Sequence, residues 1–444
     1  MSILSHLQRV HRHNVATLRH DPLAEVSGAL GDLGTLLPLM IALAIQGSIL
    51  IDSTLVFSGV FNVVTGFVFG VPLPVQPMKA IAAAAISRPE AGDMATVISA
   101  GQWVSLAVLV MSVTGVLRFA TQRVPVPVVK GIQLGAGLSL VMSAGSSLLV
   151  KLHWTQPAVD NRLWALAAFL VLIATQSLRR FPYALCIFIL SLVLATVSIL
   201  THEDDSRLPW FHVWHPTFST SLNWLSATPI SMAVGQLPLT TLNSVIAVSA
   251  LSTELLPDMP TPSVTSLGFS VGMMNLIGGW FGAMPVCHGA GGLAAQFRFG
   301  ARSGSSIIML GILKILLGLF FGGTLIDLLS HYPKSLLGIM VVAAGLELAK
   351  VGNSLNQGAP DLLEQSIQDD AGAIRRHRDM SEEERAERWT VMLMTTAGIL
   401  AFRNDAVGFL AGMLCHGAYR LSDAVGEWYH SRRGQLGERA PLLR

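Results

Sequence analysis

The sequence predicts an all-α polytopic membrane protein, organised as seven plus seven apolar segments in inverted repeat, with two of those segments interrupted into half-helices. Three observations carry this expectation. The 444 residues are 52% hydrophobic and only 13% charged, with a mean hydropathy of +0.57, outside the range of water-soluble domains. Apolar segments recur along the whole chain, divided by one polar stretch at 201–223. Two of them, at 70–87 and 282–304, break their own helices with prolines and glycines at corresponding places in the two halves.

In order, the first half (28–200) reads as segments at about 28–49, 52–70, 72–87, 94–119, 126–150, 163–178 and 182–200. The second half (224–422) reads as 224–250, 263–281, 284–298, 305–329, 334–349, 389–402 and 405–422. Several fall short of the roughly 20 residues of a full span. An odd number per half makes the second half enter the membrane from the opposite side, which is the inverted arrangement. Residues 1–27, the connector 352–388 and the tail 423–444 are then cytosolic, and the loop 201–223 is not.

Loop charges test this topology, because Lys and Arg accumulate on the cytosolic side. Arg9, Arg12 and Arg19, then Arg118, Arg123 and Lys130, then Arg179 and Arg180, then Arg298 and Arg302 all obey the rule, as does the acidic 202–205 on the far side. The loop 252–262 breaks it, holding Glu254 and Asp258 and no base. A net charge of +2 confined to loops offers no basic face to nucleic acid. Cys186, Cys287 and Cys415 are odd in number and lie in apolar segments, so they read as small buried hydrophobes rather than a disulfide framework. The N-terminus lacks a signal-peptide pattern, and no soluble domain is expected at either end. In the connector, Ser381 and Glu384 suit a capping box for a short surface helix. No metal-ligand spacing occurs, so neither a metal, a cofactor nor enzymatic chemistry is expected.

The interrupted segments are the expected site. G-V-P-L-P-V-Q-P-M-K (70–79) and G-A-M-P-V-C-H-G-A-G-G (282–292) share a plan, and Asn62, Gly66, Gly70 and Pro74 recur as Asn275, Gly279, Gly282 and Pro285 at an offset of about 212 residues. Gly31-Asp32-Leu33 likewise recurs as Gly235-Gln236-Leu237. Hydrocarbon offers the freed backbone groups no partner, so both stretches must line a protein-enclosed cavity. Paired interruptions of this kind point to a transport site at mid-membrane. Pro77 suits a first helical position with Gln76 as cap, which leaves the amides near Met78 facing the cavity. Across from them lie Cys287, His288, Gly289 and Ala290. Two helix N-termini, with Lys79 one turn in, make a pocket for an anion. Asp32, with Thr35 one turn later, is the acid expected to carry a proton, with a structural ion pair as the alternative. Lys79 snorkelling or pairing with Asp32, His288 satisfying a neighbouring carbonyl, and Arg298 and Arg302 acting as edge anchors are the plainer readings of those residues.

The runs P-L-P-V-Q-P-M-K-A-I-A-A (72–83) and F-G-A-M-P-V-C-H-G-A-G-G-L-A-A-Q-F-R-F-G-A-R-S-G (281–304), with G-D-L-G-T at 31–35 and P-L-T-T-L-N-S-V-I-A-V at 238–248, resemble the molybdate transporter family, a branch of the sulfate permease superfamily. The resemblance implies a core and a gate domain, a homodimer, no C-terminal regulatory domain, and molybdate as the substrate of a secondary active transporter. Protons are a candidate coupling ion. Sulfate is the alternative substrate, and a non-transporting sensor or scaffold is the alternative class. Gln236 stands where some proton-coupled relatives of the wider fold carry an acid, which leaves Asp32 or no coupling, and Phe297 stands where the family pattern has a tyrosine. The tail ends G-E-R-A-P-L-L-R, in which Glu438, Leu442 and Leu443 fit the acidic dileucine pattern read by sorting adaptors. In a plant host the resemblance implies the vacuolar membrane as the address, with the plasma membrane as the alternative.

Overall fold

The computed structural model describes residues 3–87, 92–175, 181–201, 207–218, 222–356, 360–364, 376–377 and 380–438. The chain enters through α1 (Ile3–His20), followed by α2 (Pro22–Ala29) and α3 (Leu33–Ile45). Pro22 opens α2 and the Asp21 carboxylate accepts from the Ala24 N–H (3.3 Å), so the first apolar segment begins earlier than its expected 28. It is broken at Leu30–Asp32, which sets Asp32 at a turn inside the protein. Next come α4 (Ile51–Phe69), the extended β1 (Val75–Pro77), α5 (Lys79–Ser87), α6 (Met94–Val113), α7 (Val116–Arg123) and α8 (Val126–Ala144), the last continuing as a wide turn at Gly145–Leu149. Helices α9 (Arg162–Ala174) and α10 (Tyr183–Thr201) close the first half.

The second half opens with α11 (Ala227–Leu239), a π-turn at Thr240–Ile246 and α12 (Ala247–Leu255). Pro238 cannot donate to the ladder, which accounts for the widened turn beside it. Then follow α13 (Val264–Gly278), β2 (Val286–His288), α14 (Ala290–Arg298), α15 (Ser305–Phe320), α16 (Ile326–Ser330) and α17 (Lys334–Ala349). The connector holds the short pair β3 (Leu363–Glu364) and β4 (Arg376–His377), and α18 (Glu382–Phe402) and α19 (Asp405–Glu438) end the fold. Among the described residues eight helices are long and apolar enough to cross a membrane, or nine if Ser305–Phe320 and Gly322–Ser330, bent by 109°, form one span. The chain is a multi-pass, essentially all-helical membrane protein.

Two local expectations change. Ser381 does cap, its hydroxyl accepting from the Glu384 N–H (3.1 Å), but the helix it starts is α18, which runs unbroken into the apolar segment expected from 389. No proline and no early glycine stops it. The tail expected from 423 begins as a continuation of α19. Glu438 ends that helix, while Leu442 and Leu443 lie outside the described residues, as do Arg179, Arg180 and the acids at 203–205.

Glycines set the tightest packing. A methyl group at Gly59 would fall 2.7 Å from the Gly311 carbonyl, and one at Gly66 2.6 Å from the Gly304 carbonyl, so α4 and α15 touch backbone to backbone. The same reciprocal contact joins α8 and α17, where Gly137 and Gly345 each face the other's carbonyl at 2.6 Å. Small residues permit such approach where lipid supplies no hydrophobic drive between helices. Asn14 of α1 fastens the first seam, donating to the Gly66 carbonyl (3.0 Å) and accepting from the Gly304 N–H (3.0 Å).

The loop that breaks the charge rule has its base elsewhere. Lys130 Nζ of α8 donates to Glu254 (2.5 Å) and to the Ser354 hydroxyl (2.8 Å), and that hydroxyl in turn donates to the second oxygen of Glu254. The topology rule weighs Lys and Arg and is nearly blind to acids.

Two stability predictions follow from these contacts. Gly66→Val should cost about 3 kcal/mol by overpacking, whereas Gly235→Ala, with open space around it, should change stability by less than about 1 kcal/mol. Thermal unfolding in detergent should separate the two variants. Lys130→Met, which strands a partly buried Glu254, should cost about 2–3 kcal/mol, and Lys130→Met/Glu254→Gln less. A double variant no more stable than the single would contradict the pairing.

Candidate functional site

Both interrupted segments begin with a glycine in the left-handed region, Gly70 at φ 69° and Gly282 at φ 72°, which ends the preceding helix and turns the chain inward. Pro72, Pro74 and Pro77 in the first, and Pro285 in the second, then disfavour helix and hold the backbone extended. Each extended stretch needs partners, and it finds them in the other. Strands β1 and β2 pair antiparallel, with Val75 opposite His288, Gln76 opposite Cys287 and Pro77 opposite Val286. The Met78 N–H closes the ladder on the Pro285 carbonyl (2.9 Å). Two asparagines carry the outer sides: Asn62 Oδ1 accepts from Val75 N–H (2.8 Å) and Asn275 Oδ1 from Val286 N–H (2.6 Å).

This corrects the expected start of the first half-helix. Helix α5 begins at Lys79, and Gln76 and Pro77 belong to the strand, because the extended backbone gains hydrogen bonds across the ladder that a cap would not supply. Nor do the α5 amides all face a cavity. Gln236 Oε1 accepts from Ala80 N–H (2.8 Å) and Ile81 N–H (3.4 Å), and its Nε2 donates to the Thr240 hydroxyl (2.9 Å).

The second half-helix start differs. Helix α14 follows Gly289 with no side-chain cap. The Gln76 carboxamide lies across it, so that a methyl group at Gly289 or Gly292 would collide with it, and one at Gly292 would also sit 3.2 Å from the Asp32 carboxyl carbon. Gln76 is 1% exposed, and its Nε2 has no hydrogen-bond partner among the described residues. Lys79 is half-buried at the first turn of α5, within electrostatic reach of Asp32, Cys287 and Asp405. It forms no ion pair with Asp32, whose carboxylate accepts the Thr35 hydroxyl.

The structure thus brings together Gln76, Met78, Lys79, Cys287, Gly289 and Ala290, with Asp32 and Thr35 behind Gly292 and Gln236 at the start of α5. It turns the His288 ring away. Successive strand residues face opposite sides; Cys287 Sγ points to the Pro77 carbonyl (3.9 Å), and His288 Nε2 meets the Ser270 hydroxyl (3.1 Å) with the ring edge-on to Phe69. Cys287 is buried, whereas Cys186 is exposed rather than buried as expected. Arg298 and Arg302 sit away from the half-helix starts. Arg298 is 3.8 Å from Glu347, and Arg302 stacks on Phe297. Both border a cavity of about 810 Å³ that His20, Glu25 and Tyr183 also line. Sequence reasoning missed Lys314, a buried cation within reach of Asp32 whose one signal was a charge inside the apolar segment 305–329.

Comparison with known proteins bears on these residues. A family profile described as "Molybdate transporter of MFS superfamily" matches residues 24–140 and 228–348. Molybdate transporter 2 of Arabidopsis thaliana is 37% identical over 375 residues, 75% of this chain and 79% of the relative. Molybdate transporter 1 of the same plant is 34% identical over 435 residues (89% and 87%), and molybdate transporter 1 of Chlamydomonas reinhardtii 31% identical over 500 (88% and 90%). Among solved structures, the transmembrane domain of the cyanobacterial bicarbonate transporter BicA shares the fold with a TM-score of 0.52 at 14% identity, covering 88% of this chain and 97% of that one. SLC26A9 shares it with a TM-score of 0.53 at 11% identity, covering 92% and 66%. These are names of transporters and not of enzymes, and with the profile matched in both halves and identities above 30% over most of its length, the chain belongs to the molybdate transporter family.

Proposed function

We propose that the protein is a secondary active transporter that carries molybdate across a membrane by alternating access, with the anion held between the starts of α5 and α14. The observation that carries this reading is the Gln76 Nε2: a buried donor without a partner among the described residues, laid over a helix N-terminus without a side-chain cap. Donors in excess at a helix start favour an anion. Lys79 adds the formal charge, Met78 and Cys287 form the walls, and the backbone of Gly289 and Ala290 faces the anion. His288 enters through its backbone, its ring bracing β2 against α13. Asp32 is the proposed proton carrier. The inverted repeat is supported by the reciprocal contacts of Gly137 with Gly345 and by the matching bonds of Asn62 and Asn275.

Purified protein in liposomes should take up radiolabelled molybdate, with sulfate as the weaker competitor; if neither ion is transported or bound, the reading is lost. Lys79→Met should weaken molybdate binding by about 2 kcal/mol, roughly 30-fold in Kd by calorimetry, as expected for removing a desolvated charge partner. Unchanged affinity in the folded variant would take Lys79 out of the site. Asp32→Asn should flatten the pH profile of uptake, and a profile overlaying the parent's would place the proton path elsewhere. For the address, we propose that Glu438, Leu442 and Leu443 direct the protein to the vacuolar membrane of a plant host. A fluorescent fusion with Leu442→Ala and Leu443→Ala should leave that membrane; an unaltered distribution would show that the tail is not the signal.

A further inference from the structure

Lys314 has no part in the site as described so far. It stands midway along α15, is 4% exposed, and its Nζ has no hydrogen-bond partner among the described residues. A lysine at that depth is costly to keep unless it answers another charge. Three residues from Gly311 and four from Gly318, it shares the face of α15 that those glycines turn toward α4. The acid within its electrostatic reach is Asp32, at the break between α2 and α3. The Thr35 hydroxyl from α3 donates to that carboxylate, Gly292 of α14 lies beside it, and Lys79 from α5, Lys314 from α15 and the Cys287 thiol of β2 are within its electrostatic reach.

Asp32 poses an electrostatic problem for the proposed site. Its carboxyl lies next to Gly292, in the first turn of the helix that is to receive an oxyanion. An ionised acid there repels the cargo and draws on Lys79, the cation the cargo needs. Two cations answer one acid, and they approach it from different elements.

We propose that Lys314 is the fixed counter-charge of Asp32, a positioning residue that tunes the affinity for an oxyanion without touching it. By answering the Asp32 carboxylate from the α15 side, it leaves Lys79 and the α14 amides for the anion. The inference rests on the anion site proposed above, and its test distinguishes the two.

Molybdate binding to the full-length protein in detergent, measured by calorimetry, compares the parent with Lys314→Met, Lys314→Arg, Asp32→Asn and Asp32→Asn/Lys314→Met. Lys314→Met should raise Kd by on the order of tenfold, Lys314→Arg should stay near the parent, and the double variant should recover most of the loss. Asp32→Asn alone, with the cation left in place, should bind tighter than the parent. If Lys314→Met does not fold, the double variant and Asp32→Asn still decide. Weaker binding by Asp32→Asn, unchanged affinity in a folded Lys314→Met, or a double variant no better than Lys314→Met would overturn the counter-charge. If the parent binds and Lys79→Met loses affinity while Lys314→Met does not, this inference alone falls. A parent that binds no molybdate overturns both.

Discussion

The ladder between β1 and β2 is the constraint on which the rest of the structure depends. Inside a bilayer, backbone groups that leave a helix must be satisfied by protein. Where the chain leaves its helices here, three residues of β1 pair with three of β2 across the two halves of the chain. That pairing dictates the company around it. Gly70 and Gly282 must turn the chain, Asn62 and Asn275 must occupy the open edges, and α4 and α13, which bear those asparagines, must flank the pair. Each half-helix then starts directly after its strand of the pair.

The two ends are not equivalent, and the difference lies in one pair of matched positions. Gln236 reaches the start of α5 and occupies two of its amides. Asp32, its counterpart in the first half, engages Thr35 and leaves the start of α14 to the Gln76 carboxamide. An amide oxygen can accept from helix N–H groups without competing for cations, whereas a carboxylate in that place adds a charge that must be answered. In the site proposed above, the start of α5 is thus partly occupied by Gln236 while the start of α14 has no side-chain cap. This directs attention to α14 as the element whose residues set the character of the site.

Much of this architecture was legible in the sequence because its signals are local. Prolines and glycines mark where helices stop, and the repetition of Asn62 through Pro74 as Asn275 through Pro285 marks which stops correspond. What could not be read was which distant group each local feature meets. The ladder made Gln76 and Pro77 strand residues, because its partner lies some 200 residues away in the chain. Strand alternation turned His288 toward Ser270, a choice fixed by the register with β1 rather than by spacing. Glu254 stood as an exception to a charge rule until Lys130 came beside it from α8. Lys314 was hidden by its surroundings, since a single charge scarcely alters the hydropathy of a long apolar run.

The glycine seam between α4 and α15 bears on how the protein can move. Helices separated by interlocking side chains can slide by exchanging rotamers, with each small shift met by a new fit. Where carbonyls lie against alpha carbons, as at Gly59, Gly66, Gly304 and Gly311, there is no such compliant layer. The seam is a weld and not a bearing. Because α4 comes from the first half and α15 from the second, a shift of one half of the sequence against the other would have to part this seam. Any moving body must be composed of helices from both, cut across the order of the chain.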